Sequence, residues 1–280
     1  MKTYTACILL LLTGMISCKQ EEKSTTSEVE DSTTEEIVEI DIRGKEITYQ
    51  SDSTMMKGYM AWNENATEKA PGILVIHEWW GHNDYTRERA DMLAELGYVA
   101  FAIDMYGEGK QAEHPDEAGK FANMVMSNMD EAEARFNAAL ELLKQNEHVD
   151  PEKIAAIGYC FGGSVALTMA NTGADLDAVA AFHSGINLPV PPNDDLKARV
   201  LVCNGAADPM VSAEDVAKFT SAMDSTGVTY EYIAYEDAMH AFTSKAADSL
   251  GKTFDLPLAY NEEADRKSWE ALKAMLDEVF

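Results

Sequence analysis

A mainly parallel β-sheet with helices on both faces is the fold class that this 280-residue chain predicts. Three observations lead there. Short uninterrupted apolar runs recur along the chain, as strands buried on both faces require. Stretches with apolar residues at three- and four-residue spacing separate them and read as helices. The regular alternation of the two implies right-handed crossovers between parallel strands. No internal repeat and no break in composition follows residue 37, so residues 37–280 form one α/β domain.

The elements come in chain order. Ile37–Ile42 and Thr54–Trp62 alternate in polarity around a turn-rich gap and predict an opening hairpin. Gly72-Ile-Leu-Val-Ile-His77 is the first fully apolar run. Val99–Ile103, Ile154–Tyr159, Ala178–Phe182 and Val200–Cys203 repeat the pattern, and Tyr230–Tyr235 is a more polar version. Helices are predicted over Tyr85–Leu96, Glu131–Leu143, Gly163–Met169, Ala213–Met223 and Glu263–Val279.

In front of the domain the chain has the character of an address. Met1-Lys2, an apolar stretch from Ala6 to Ile16 and a polar Lys19-Gln20-Glu21-Glu22 make a charged start, a short hydrophobic region and a cleavage point. The apolar stretch is too short for a helix to span a bilayer, which takes about 20 residues. Met15-Ile16-Ser17-Cys18 resembles a bacterial lipobox, so residues 1–18 are expected to be a lipoprotein signal peptide and Cys18 the lipidated residue. Residues 19–36 hold seven acids, two lysines and almost nothing apolar, which predicts a disordered acidic linker. Its opening resembles the surface-export signal of Bacteroidetes lipoproteins. The expectation is an exported monomer tethered to a bacterial membrane, the outer face of the outer membrane included.

Charge narrows the partners. The chain carries 49 acidic against 22 basic side chains, a formal −27. Seven of the acids and three of the lysines precede residue 37, so the body alone keeps −23. A reader of nucleic acid needs a basic footprint, and none exists here. The same excess repels anionic small molecules. Cysteines at 7, 18, 160 and 203 match neither a disulfide framework nor a Cys-x-x-Cys metal spacing, and Cys203, inside a strand, reads as core. Neither a metal nor a cofactor is expected.

Chemistry concentrates in Gly158-Tyr159-Cys160-Phe161-Gly162-Gly163, which comes after a buried strand and opens a helix. That is the context of a nucleophile elbow, with Cys in the place of Ser. Gly158 and Gly162 allow the tight strand-to-helix turn, and the helix N-terminus favours thiolate. A thiol nucleophile needs a base, and the base an orienting acid. In the chain order of such hydrolases both come later, acid first. Asp208 follows the strand Val200–Cys203, and His240 follows Tyr230–Tyr235. Asp104 also ends a strand, but precedes Cys160 and fails on order.

Gly-Tyr-Cys-Phe-Gly-Gly at 158–163, the Asp208-Pro209 loop and His240-Ala241-Phe242 together resemble the dienelactone hydrolase family, from about residue 40 to the end. The resemblance implies an α/β-hydrolase fold and a cysteine-dependent hydrolase of ester bonds. His77-Glu78-Trp79-Trp80-Gly81-His82-Asn83 extends the match. By resemblance Glu78 contacts the resting Cys160 and takes part in activating it, while the backbone N–H groups of Phe161 and Trp79 form the oxyanion hole. Gly81 stands where a zinc-protease motif needs His, so no metal is read there.

Two departures bear on substrate. The family holds its substrate carboxylate with two arginines, and those places here are Glu108 and Ser244. Glu and Ser cannot make a bidentate carboxylate clamp. A small neutral or cationic ester, lactone or thioester is therefore the expected substrate. Trp79, Trp80, Tyr106 and Phe242 are candidate pocket walls, with His82 and His183 as weaker ones. The alternative from another class is a catalytically silent binding lipoprotein that has kept the fold.

Overall fold

Side chains on a strand point alternately to opposite faces, and in the centre of this protein that alternation builds two cores. The computed structural model describes residues 40–280. The expected signal peptide, the acidic linker, Cys18 and residues 37–39 lie outside them. In β3 (Ala70–Ile76), Leu74 and Ile76 join one core with Phe101 and Ile103 of β4 (Val99–Ile103). Ile73 and Val75 join the other, with Ala100 and Ala102.

Among the described residues, eight strands form the sheet. Besides β3 and β4 these are β1 (Ile42–Ser51), β2 (Thr54–Asn63), β5 (Val149–Tyr159), β6 (Ala178–Phe182), β7 (Arg199–Gly205) and β8 (Tyr230–Tyr235). Their order is β1-β2-β4-β3-β5-β6-β7-β8. Only the first two pairings, β1 with β2 and β2 with β4, are antiparallel. The remainder is parallel, as expected of strands joined by helical crossovers.

Helices cover both faces. α1 (Asp84–Glu95) and α7 (Glu262–Val279) pack Leu93, Leu272 and Leu276 on one core. α3 (Met129–Lys144), α4 (Phe161–Asn171) and α5 (Ala213–Thr226) pack Phe136, Val165 and Phe219 on the other. The ends of these helices are written in short polar residues. The Asn128, Ser212 and Asn261 side chains accept the N–H groups of Glu131, Asp215 and Ala264, which would otherwise be orphaned.

Two expectations are corrected. The first described strand, β1, runs Ile42–Ser51 with residues 40–41 outside it, so much of the supposed gap is strand; residues 37–39 of the expected strand lie outside the described residues. β1 is an edge strand with most of its side chains exposed, and without a buried face it carries no apolar run. Two helices also went unpredicted: α2 (Pro115–Met126) and α6 (Ala247–Phe254). Each packs only a small part of its surface, chiefly Ala118 and Val125 in α2 and Ala247 and Gly251 in α6, so the apolar stripe is thin.

Candidate active site

Parallel strands bring their C-terminal ends to one edge of the sheet, and the loops there gather the chemistry. Glu78 comes after β3, Cys160 after β5, Asp208 after β7 and His240 after β8. Cys160 has φ 54° and ψ −116°, a conformation few L-residues adopt. The turn is possible because its neighbours lack side chains: a Cβ on Gly158 would lie 2.1 Å from the Gly162 carbonyl oxygen, and one on Gly162 2.3 Å from that of Ile76. The Cys160 N–H donates to Phe182 O at 2.9 Å, tying the elbow to β6.

The three residues form one line. His240 Nε2 lies 3.1 Å from Cys160 Sγ, and His240 Nδ1 lies 2.8 Å from Asp208 Oδ2. Asp208 Oδ1 accepts the Met210 N–H, which locks the carboxylate in its loop. Burial alone pulls the imidazole pKa down. Charge on the Cys160 sulfur and the hydrogen bonds to Asp208 and Cys160 outweigh it and push His240 up to about 10. The imidazole is therefore arranged to hold its proton beside the sulfur. Asp104 is occupied elsewhere: its two oxygens accept N–H groups from Lys57, Tyr106, Gly107 and Gly109 and knot the loop after β4.

Phe161 opens α4, and its N–H, like that of Trp79, has no acceptor among the described residues. Both remain available to an oxyanion.

Glu78 departs from its expected contact. The thiol is turned to His240, and no hydrogen bond joins it to Glu78. The carboxyl is buried, and that burial pushes its pKa up to about 7 against the opposing pull of His240 and Arg89. It is a neighbour of the triad's charge rather than a ligand of the sulfur.

The pocket walls are also corrected. Phe242 is fully buried in the core under His183 and Tyr235. Tyr106 is buried too, with its hydroxyl donating to Trp79 O at 2.9 Å. Trp80 is mostly buried between Trp79 and Phe254, and of the four aromatic candidates Trp79 is the one that is only half-buried. His82 is buried against Ala102 O, and burial brings its pKa down to about 4. Cys203 is core, as expected, with its thiol pushed up to about 12 by burial. Glu108 points outward to Lys110.

Sequence reasoning missed a layer of contacts behind the base. The Thr243 hydroxyl meets both Tyr85 Oη at 2.6 Å and His183 Nε2 at 2.7 Å, while Arg89 donates to the Thr243 carbonyl at 2.8 Å. Arg89 also pairs with Asp265 and lies over the rings of Tyr85, Tyr159 and Trp269. A cavity of about 590 Å³ opens on Tyr85, Arg89, Thr243 and Ser244, with neither Cys160 nor His240 in its lining. Ser244 lines this cavity. The sequence offered for this layer only Arg89 at helical spacing after Tyr85.

A family model described as the dienelactone hydrolase family matches residues 56–280. The chain belongs to the dienelactone hydrolase family. Among proteins similar to this chain, "Protein usf" of Aquifex pyrophilus is 30% identical over 214 residues, covering 74% of this chain and 90% of its own. The solved structure called m3DLH is 36% identical with a TM-score of 0.81, covering 85% of this chain and 99% of its own. A second, a dienelactone hydrolase-like promiscuous phosphotriesterase named P91 from metagenomic libraries, is 32% identical with a TM-score of 0.79 over the same shares. Like other dienelactone hydrolase family members, this one has the α/β-hydrolase fold, which is what its sheet order and elbow had indicated.

Proposed function

We propose that this protein hydrolyses small neutral esters, lactones or thioesters through a covalent acyl-enzyme on Cys160. The observation that carries the reading is the hydrogen-bonded line from Cys160 through His240 to Asp208. The thiolate attacks the acyl carbon, and the carbonyl oxygen takes up negative charge facing the N–H groups of Phe161 and Trp79. As the tetrahedral intermediate collapses, His240 Nε2 hands its proton to the leaving oxygen or sulfur. Water then attacks the thioester, His240 takes one of its protons, and collapse returns the acid and the resting pair. Asp208 holds the tautomer and balances the imidazolium.

The substrate class rests on charge. Without arginines at 108 and 244, and with a body of −23, an anionic substrate finds neither a clamp nor a favourable field. The family name and the phosphotriesterase activity in the name of P91 make uncharged lactones and uncharged phosphotriesters the sensible arms of a screen. The test is turnover of p-nitrophenyl acetate, a neutral lactone and a thioester by a soluble form starting at residue 37. Cys160→Ala should abolish turnover, and parental rates in that variant overturn the reading. No observation favours the silent binding module.

The same reading extends to location. A lipid-anchored, exported enzyme is inferred from the lipobox-like Met15-Ile16-Ser17-Cys18 and the polar run behind it. Metabolic labelling with a palmitate analogue should mark the parent and not Cys18→Ala; equal labelling overturns the anchor.

A further inference from the structure

Three consecutive carbonyls in the turn after β3 are each held. Trp80 O accepts the Ala112 N–H at 2.9 Å, and Trp79 O accepts the Tyr106 hydroxyl at 2.9 Å. Glu78 O accepts twice, from the Gly81 N–H at 3.1 Å and from His77 Nδ1 at 2.6 Å. The tautomer of His77 is set by its other nitrogen. Met105 N–H donates to Nε2 at 3.2 Å, so the ring proton is on Nδ1 and is given to the Glu78 carbonyl. The ring is fully buried between Tyr106 and Phe161, at centroid distances of 4.6 and 5.7 Å. That burial lowers its pKa and keeps it neutral, which preserves Nε2 as an acceptor.

The Glu78 carbonyl and the Trp79 N–H belong to one peptide group. In a planar trans peptide they point in opposite directions, so a bond that fixes one fixes the other. We propose that His77 is the positioning residue of the oxyanion hole: by holding the Glu78 carbonyl it aims the Trp79 N–H at the oxygen of the tetrahedral intermediate. The inference rests on the thiol-hydrolase reading and deepens it. Gly81 closes the turn from within, and its own backbone is bridged to Gln111. His77 reaches outside the turn to Met105, after β4, and lies against the ring of Phe161, whose N–H is the second donor. One buried imidazole therefore touches the peptide of one donor and the side chain of the other.

A core histidine that only fills space would give a different result from one that aims a peptide. His77→Leu removes both bonds, and His77→Gln can restore a donor and an acceptor. On p-nitrophenyl acetate, His77→Leu should lower kcat about 10- to 100-fold with KM little changed, somewhat less than the loss from deleting an oxyanion donor outright. His77→Gln should recover most of the rate. Alkylation of Cys160 by iodoacetamide generates no oxyanion, so both variants should alkylate at the parental rate. Parental kcat in His77→Leu overturns the inference, as does a kcat loss matched by an equal loss of alkylation. Should leucine unfold the protein, His77→Asn keeps a polar group too short to reach both partners, and the same split is required of it. A parent that turns over no ester overturns the function instead. The inference is then decided by a crystal structure of the His77 variant: a turned Glu78 carbonyl supports it and an unmoved one overturns it.

Discussion

His183 Nε2 and the Thr243 hydroxyl, 2.7 Å apart, join the strand end behind Cys160 to the loop that carries His240. His183 is next in the chain to Phe182, whose carbonyl holds the Cys160 N–H, and Thr243 lies three residues after His240. The ring of His183 stands edge-on to that of His240 with centroids 5.5 Å apart, at a backbone φ of 38°. Burial, and then the nearby charges of His240 and Arg89, hold its pKa well below the ordinary histidine value, so it adds no competing charge beside His240.

Thr243→Val keeps the shape and deletes the hydroxyl. It leaves the Tyr85 and His183 polar atoms without their partner, at a cost of about 1–3 kcal/mol. The expected outcome is a lower melting temperature and slower Cys160 alkylation, because an imidazole that wanders holds the sulfur less well. The groups facing this pair are Asp208, Glu78, His183, Arg89 and Tyr106, all unchanged in the variant. A thermal scan and an alkylation series from about pH 5 to 9, spanning the ordinary cysteine and histidine range, check it.

Glu78 should make stability fall as pH rises. Its folded pKa of about 7 stands above the ordinary 4.5, so between those values the folded state holds a proton that the unfolded chain has released. This group's contribution therefore declines through that window and levels off above it, by on the order of 3 kcal/mol at about 1.36 kcal/mol per unit. Glu78→Gln cannot ionise and should lose the dependence. Urea unfolding at pH 5 and pH 8 measures the difference, which should be smaller in the variant.

Two glycines should respond oppositely to one methyl group. Gly162→Ala drives its Cβ to 2.3 Å from Ile76 O and 2.6 Å from His77 O, both backbone atoms that cannot swing aside. A loss of at least about 1–3 kcal/mol is expected, together with loss of activity as α4 is pushed off β3. Gly119, inside α2, has nothing within 4 Å of such a Cβ. Gly119→Ala should stabilise by about 0.5–1 kcal/mol through helix propensity alone. Melting curves of the two variants against the parent decide both.

Legibility in the sequence tracked burial and chain order. The central strands announced themselves because both faces are covered, and β4 and β6 lie where their patterns put them. β1 was misplaced because its exposed side chains carry no pattern. Cys160, Asp208 and His240 were readable since an elbow motif and a fixed order constrain them. Their surroundings were not. Tyr106 and Phe242 looked like walls because aromatic residues near a motif serve both cores and pockets, and only three-dimensional packing separates the two. His183, Thr243 and Arg89 come from three distant segments and share no spacing. His77 was in view, as the last residue of an apolar run, but its two hydrogen bonds depend on a neighbour 28 residues away.

The elbow that exposes the thiol also loads the chain with conformational strain. A non-glycine residue at φ 54° and ψ −116° costs about 1–3 kcal/mol, which the contacts around it must offset. Cys160→Gly discards the nucleophile and that strain together. It should yield an inert protein whose melting temperature rises by about 2–4 °C for each kcal/mol released. For this molecule, then, maximum durability and turnover are opposed at a single backbone torsion.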